Sequence, residues 1–209
     1  MKKYKSTLIL TSIITLLPIL IGVLLWPQLP DSIATHFNFG NTADGWSSKV
    51  FAVFGLPVIL LAVHWLSIVF MLNDPKKKNI GDKIFGLMLW VVPAISLITS
   101  VLIYCNALGY TLSTGLAANL LLGVLLIVIG NLLPKCKQSY TVGIKLPWTL
   151  SSEENWNRTH RLAGWIWVLG GAAYIVNAFF LSKWIFIPTI ILMIGIPTAY
   201  SFVLYRKGV

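Results

Sequence analysis

The chain has 209 residues, of which 57% are hydrophobic and only 11% are charged, and its formal net charge is +10. A water-soluble domain would hold about a quarter charged residues, so a soluble globule is excluded and long apolar runs must face lipid. Cys105 and Cys136 fall at opposite faces of the membrane in the topology derived below, which excludes a disulfide between them.

Six apolar runs are each long enough to cross about 30 Å of hydrocarbon as a helix, and none contains Asp, Glu, Lys or Arg. The uniform apolarity of these runs argues against the alternating strands of a β-barrel. The sequence therefore predicts an all-α integral membrane protein, a six-transmembrane-helix bundle. In chain order the runs are Thr7–Trp26, Val50–Leu72, Ile84–Cys105, Thr114–Leu133, Leu162–Leu181 and Ile185–Tyr205. We interpret residues 1–209 as one membrane domain, with a two-helix segment at 1–72 and a four-helix segment at 84–205.

The positive charges are distributed unevenly between the connections. Of the 16 Lys and Arg residues, all except Lys49 and Lys183 lie at the two termini or in the second and fourth connections. The positive-inside rule then predicts a multi-pass membrane protein with both termini cytoplasmic. The same charge favours contact with anionic lipid, and its placement at one membrane face argues against direct binding of nucleic acid.

The longest extracytoplasmic connection in this topology is Pro27–Lys49. Polar and apolar residues alternate from Thr35 to Phe39, which indicates a short extended piece. The isolated His and two Asp residues of this loop lack the spacing of a zinc site, so we predict no metal and no cofactor. A secreted ligand would meet the chain here, and the candidate residues are Asp31, His36, Phe37, Asn38, Asp44 and Trp46.

Inside the predicted spans, His64 is the one ionisable side chain of the Asp, Glu, Lys, Arg and His set. Such a residue is a functional candidate, but a structural hydrogen bond to a neighbouring helix is the favoured interpretation. Asn119, Asn131 and Asn177 are the candidate partners. The missing intramembrane carboxylate and the missing nucleotide-binding loop argue against a transporter, and the missing HExxH or comparable spacing argues against an enzyme.

Residues 134–161, the polar loop, form the one long polar segment between apolar runs. Gly143 permits a tight turn, and Trp148 could lie at headgroup depth beside Lys145. Ser151 and Glu154 form a Ser-x-x-Glu capping box, which predicts the start of a helix that becomes the fifth span. On that helix Trp156, His160 and Gly164 would share one stripe.

The stretch Gly143-Ile144-Lys145-Leu146-Pro147-Trp148-Thr149-Leu150, followed by Glu154-Asn155-Trp156 and Thr159-His160-Arg161, closely resembles the signature of the SdpI/YfhL family. The loop before the second span, with His36-Phe37-Asn38 and Asp44-Gly45-Trp46, resembles the small membrane domain often joined to that signature. One departure is Lys145-Leu146, where family members more often have Arg-Thr; Lys keeps the charge but loses the planar fork.

The resemblance implies an immunity protein that protects its host from a secreted, membrane-active peptide, the sporulation-delaying toxin. Some family members also act as a receptor that holds a cytosolic winged-helix repressor at the membrane, and the resemblance implies the same role here. The polar loop would then either dock this partner or simply seal the turn between helices; a small-molecule or peptide transporter is the alternative function. The signature positions that we take as candidates are Gly143, Lys145, Pro147, Trp148, Thr149, Glu154, Trp156, Thr159, His160 and Arg161.

Overall fold

A computed structural model describes residues 2–38 and 40–209. Phe39, the end of the predicted extended piece, lies outside the described residues. The chain is mostly helical. Its helices are α1 (Lys5–Leu24), α2 (Leu56–Leu72, after a π-helical turn at Phe51–Gly55), α3 (Asp82–Ala107), α4 (Thr114–Leu132), α5 (Pro147–Ser151), α6 (Glu153–Asn177) and α7 (Lys183–Arg206).

Within the described residues, five helical segments are long and apolar enough to cross a membrane: Lys5–Leu24, Phe51–Leu72, Asp82–Ala107, Thr114–Lys135 and Lys183–Arg206. They correspond to five of the six predicted spans. The remaining predicted span, Leu162–Leu181, falls on α6, which is less apolar because its first turns carry charges and its second half is diluted by Trp, Gly and Tyr.

Both ends of α6 differ from the prediction. The helix starts one residue later than the predicted capping box, because Ser152 is the N-cap and its hydroxyl accepts the Asn155 amide at 3.2 Å. Ser151 instead ends α5 and bonds back to the Trp148 carbonyl. At the other end the helix stops at Asn177, where the Asn177 side chain accepts the Ser182 amide and Leu181 adopts a positive φ of 49°.

The first long connection folds into an antiparallel hairpin, an element that the all-α prediction did not include. Its strands are β1 (Ser32–Phe37) and β2 (Ala43–Ser48). The alternation that indicated an extended piece is part of β1, but the pairing partner was not predicted. Asn41 takes a φ of 60° in the turn, and the Asn38 side chain accepts the amides of Gly40 and Thr42.

Packing divides the chain into two compact units. The first runs up to Phe70 and includes Phe85–Thr114; the second combines Met71–Ile84 with Gly115–Val209. Most of α3 therefore clusters with α1 and α2, whereas the sequence-based grouping placed it with the later helices. The first unit has a core of Leu29, Ile33, Ala52, Val53, Ile103 and Tyr104 at the base of the hairpin.

Close helix packing in the second unit depends on glycines. A Cβ on Gly171 of α6 would lie 2.6 Å from the Gly123 carbonyl of α4, and a Cβ on Gly164 would lie 2.8 Å from the Gly130 carbonyl. On its other side, Gly170 lies against Met193 of α7. The adjacent glycines Gly170 and Gly171 therefore permit close approach of two different neighbouring helices.

Candidate functional site

Asp74 organises the start of the polar loop. Its carboxylate is 3% exposed, and one oxygen accepts the Ser139 hydroxyl at 2.7 Å, the Thr141 hydroxyl at 2.7 Å, and the amides of Tyr140 and Thr141 at 2.9 Å each. Burial would raise the pKa of Asp74, but hydrogen bonds from Ser139, Thr141 and the Lys76 amide outweigh it and hold the pKa below its ordinary 3.8. The residue is thus an ionised anchor for residues 139–141.

Gln138 connects three segments of the same unit. Its amide nitrogen donates to the carbonyls of Thr149 and Leu150 at 2.8 and 2.9 Å, and its side-chain oxygen accepts the Lys76 ammonium. The Asn79 side chain donates to the Gln138 backbone carbonyl at 2.8 Å. The connection between α2 and α3 is therefore fastened to the polar loop by side chains of both.

His160 closes the next turn of the loop. Its Nε2 accepts the Ile144 amide at 2.8 Å, so its Nδ1 carries the proton and donates to the Trp156 carbonyl at 2.8 Å. Burial lowers the pKa of His160 to about 4, although the bond to the Trp156 carbonyl acts in the opposite direction. The ring is neutral near pH 7 and stacks on Trp156 with centroids 4.0 Å apart.

Gly143 lies directly over this aromatic pair. Its φ is 113°, and a Cβ there would approach His160 Nε2 to 2.6 Å and the Trp156 ring to 2.7 Å. Trp156 is itself fully buried and donates its indole N–H to the Cys136 carbonyl at 2.8 Å. The predicted stripe of Trp156 and His160 is confirmed as a buried face, and it packs under the polar loop.

Other signature positions also hold the loop. The buried Thr149 hydroxyl accepts the Leu146 amide at 2.9 Å across the first turn of α5, which Pro147 begins. Thr159 donates to the Asn155 side chain at 3.1 Å, and Asn155 in turn binds the Ser201 hydroxyl and carbonyl on α7. The Thr149 bond closes the first turn of α5, and the Asn155 bonds tie α6 to α7.

A smaller group of signature residues faces outward. Lys145, Glu154 and Arg161 are exposed, and Glu154 pairs with Arg158 at 2.6 Å. Trp148 packs on Phe202 and Tyr205 of α7, with ring centroids 5.4 and 6.0 Å away, and its position at headgroup depth stays a prediction.

The hairpin brings together three of the six residues predicted to face a ligand. Asp44 Oδ1 lies 2.5 Å from His36 Nδ1, and both side chains are exposed, as is Trp46. Asp31 is fully exposed and pairs with Lys49 at 3.2 Å at the base. Phe37 is half-buried, and the exposed Asn38 organises the turn. Among the described residues, no group of three His, Cys, Asp or Glu side chains is placed to hold a metal ion.

The polar residues within the spans pair differently from the prediction. His64 is fully buried and its Nε2 lies 3.1 Å from the Thr11 hydroxyl of α1, so the three predicted Asn partners are wrong. Thr11 already donates to the Leu8 carbonyl, which leaves His64 as the donor in this pair. Asn119 pairs with Asn177 in the second unit, at 3.1 Å, and Asn131 is exposed at the end of α4.

Sequence reasoning missed Asp74, Gln138 and Asn155 as organising residues. In the sequence Asp74 is a single acidic residue in a connection, and Gln138 and Asn155 are unremarkable polar residues in a polar segment. Gln138 and Asn155 have no spacing signal, because their partners lie up to 62 positions away in the chain. A faint signal existed for Asp74, since the Asp-Pro that follows α2 is typical of a turn.

Substituting Gly143 with Ala is expected to destabilise the polar loop by about 2 kcal/mol or more. The change adds a strained positive φ to a steric clash with His160 and Trp156. Thermal unfolding followed by Trp fluorescence measures the loss. Gly109→Ala is the matched control, because Gly109 has a φ of 89° but open space around it. Equal losses in the two variants would contradict the steric role of the aromatic pair.

Apolar helices that are long enough to cross a membrane, joined by a folded polar loop, define a helical membrane protein. Residues 135–201 match the SdpI/YfhL protein family, and residues 13–61 match a domain of unknown function, DUF1648. These matches bear out the predicted resemblance to the SdpI/YfhL family. The chain is also 27% identical over 207 residues to the immunity protein SdpI of Bacillus subtilis (strain 168), covering 95% of this chain and 96% of that protein. No solved structure matches it.

Proposed function

We propose that this protein is an immunity protein of the bacterial plasma membrane, which protects its host from a secreted membrane-active peptide. The observation that carries the proposal is similarity along nearly the whole chain to an immunity protein. The signature residues form one hydrogen-bonded cluster. In the proposed topology both termini and the polar loop are cytoplasmic, and the hairpin faces the exterior. The segregation of basic residues supports this orientation.

In this proposal α6 is the sixth membrane crossing. Its exposed residues from Trp165 onward are Trp165, Leu169, Ala172 and Val176, which lie on one apolar face at helical spacing. The opposite face is buried and contains Gly164, Gly170, Gly171 and Tyr174. A helix with one apolar face outward and one face packed on its neighbours suits a lipid-facing position in a bundle.

Expression in a strain sensitive to the sporulation-delaying peptide tests the immunity role. Cells that make this protein should survive the purified peptide better than cells with empty vector. The Gly195→Ala variant should protect like the wild type, since Gly195 has open space around it. If membrane-inserted wild-type protein gave no gain in survival, immunity against this peptide would be contradicted.

The first role of the polar loop is structural, because its residues stabilise the second unit. The residues that bond or pack inward are Gly143, Thr149, Trp156, Thr159 and His160. A second role, docking of a cytosolic winged-helix repressor, is supported by exposed cations on this rigid base. Lys145 and Arg161 are both exposed beside the buried core. Such charges also suit anionic lipid.

Replacing Lys145 and Arg161 together with Ala tests the docking role. Because both side chains are exposed, the variant should reach the membrane and keep toxin protection, while a tagged winged-helix repressor should no longer sediment with toxin-treated membranes. Trp148→Ala is the contrasting variant, and it should lose stability because Trp148 packs on α7. Unchanged repressor retention in the double variant would argue against docking at these cations.

Uptake of labelled peptide into proteoliposomes tests the alternative, a transporter.

A further inference from the structure

The hairpin is held in a defined position within the first unit. Ile33 of β1 is 1% exposed and belongs to the buried core, and the Lys49 amide closes the base by donating to the Asp31 carbonyl at 2.8 Å. The Thr114 hydroxyl donates to the Asn41 side chain at 2.7 Å, which fixes the turn. A preorganised element loses little entropy on binding, which makes it suited to recognition.

The backbone of β2 presents a strand edge. Since Lys49 and Asp31 form a hydrogen-bonded pair, the alternation of an antiparallel ladder directs the amides of Trp46 and Ser48 away from β1. Both residues are exposed, whereas Ala34, the partner of Trp46 on β1, is half-buried. Outward amide and carbonyl groups on an exposed edge are a template for another extended backbone.

The side chains along this edge include an exposed apolar ring and a His–Asp pair. Register shifts place one extra residue in each strand, Thr35 and Asp44, and so bring His36 against Asp44 on the outer face. The Trp46 side chain beside them is 59% exposed.

The hairpin exposes its acidic side chains to solvent and buries most of its basic side chain. The Asp31 and Asp44 side chains are 103% and 42% exposed, but the Lys49 side chain is only 13% exposed, and its ammonium lies 5.1 Å from the centre of the Trp26 ring. The hairpin therefore shows carboxylates to its surroundings and withdraws its cation. This complements a ligand with positive charge.

We propose that β2 receives an extended segment of the secreted peptide as a third strand. The amide and carbonyl of Trp46 and the amide of Ser48 bond the peptide backbone, the Trp46 indole contacts an apolar side chain, and Asp44 faces a positive group. This inference rests on the proposed immunity function, and it names the contact by which the peptide is recognised.

Proline substitution tests the edge, because proline removes an outward amide without breaking the ladder to the partner strand. The full-length protein in lipid nanodiscs is probed with biotinylated sporulation-delaying peptide. Trp46→Pro should weaken binding about tenfold or more, since both a backbone bond and the indole are lost. Trp46→Val keeps the amide and should lose less. Ala34→Pro, at the same register on β1, should bind like the wild type.

Hydrogen exchange provides a readout that a merely structural role would not change. Addition of the peptide should slow exchange of the Trp46 and Ser48 amides and leave that of Ala34 unchanged. If the wild type neither binds nor protects, the proposed immunity against this peptide fails and the inference fails with it. If the wild type protects and Trp46→Pro binds equally well, strand addition is overturned while the immunity function stands. Equal loss in Ala34→Pro would also overturn it.

Discussion

Replacing Asp74 with Ala is expected to release residues 139–141 and to destabilise the second unit by about 3 kcal/mol or more. Four donors of residues 139–141 and the Lys76 amide lose their acceptor at once, and each buried donor left unpaired costs about 1–3 kcal/mol. Hydrogen exchange of the Tyr140 and Thr141 amides should become fast, and the midpoint of thermal unfolding in detergent should fall. Toxin protection should be lost if the polar loop shapes the bundle.

Glu153→Gln is the control for Asp74→Ala. Glu153 is an exposed acid in the first turn of α6, so its neutralisation should cost only a few tenths of a kcal/mol through the helix dipole. Slow exchange of the Tyr140 and Thr141 amides in Asp74→Ala would show that the loop is held by other contacts.

The contribution of Asp74 also has a defined pH dependence. Its folded pKa lies below 3.8, so the carboxylate stabilises the fold at any pH above that ordinary value. The stabilisation is lost only as the pH falls through the folded pKa, because protonation then weakens the hydrogen bonds to this carboxylate.

Substituting Gly171 with Ala is expected to destabilise the second unit by about 1–3 kcal/mol. The new Cβ would lie 2.6 Å from the Gly123 carbonyl, and backbone cannot move aside as a flexible side chain can. A larger side chain, as in Gly171→Leu, should separate α4 from α6 and abolish stable folding. Thermal unfolding of the purified protein in detergent measures both changes.

Gly195→Ala provides the matched control within α7. A Cβ there meets nothing within 4 Å, so the higher helix propensity of Ala should leave stability unchanged or raise it by up to about 1 kcal/mol. If Gly171→Ala were as stable as Gly195→Ala, the close approach of α4 and α6 would not contribute to stability.

The sequence predicted those features of the candidate site that depend on neighbouring residues, and it missed those that depend on distant ones. The positive φ of Gly143 depends on neighbouring residues, so its residue type indicated it, whereas the short helix α5 that begins at Pro147 was not predicted. The capping residue was misplaced by one position because Ser151 and Ser152 are adjacent and both suit an N-cap. The hairpin was only half predicted, since an alternating stretch indicates a strand but does not name its partner.

The sequence by itself determined that this is a helical membrane protein, where most of its helices lie, and which connections carry the positive charge. These properties follow from runs of neighbouring residues, because lipid selects for local apolarity and length. Only the tertiary structure decided what the polar residues do. It paired His64 with Thr11, gave Asp74 its partners more than 60 positions away, and placed the exposed edge of β2. Hydrogen bonds between distant residues depend on how helices and loops pack, and no local pattern encodes that packing.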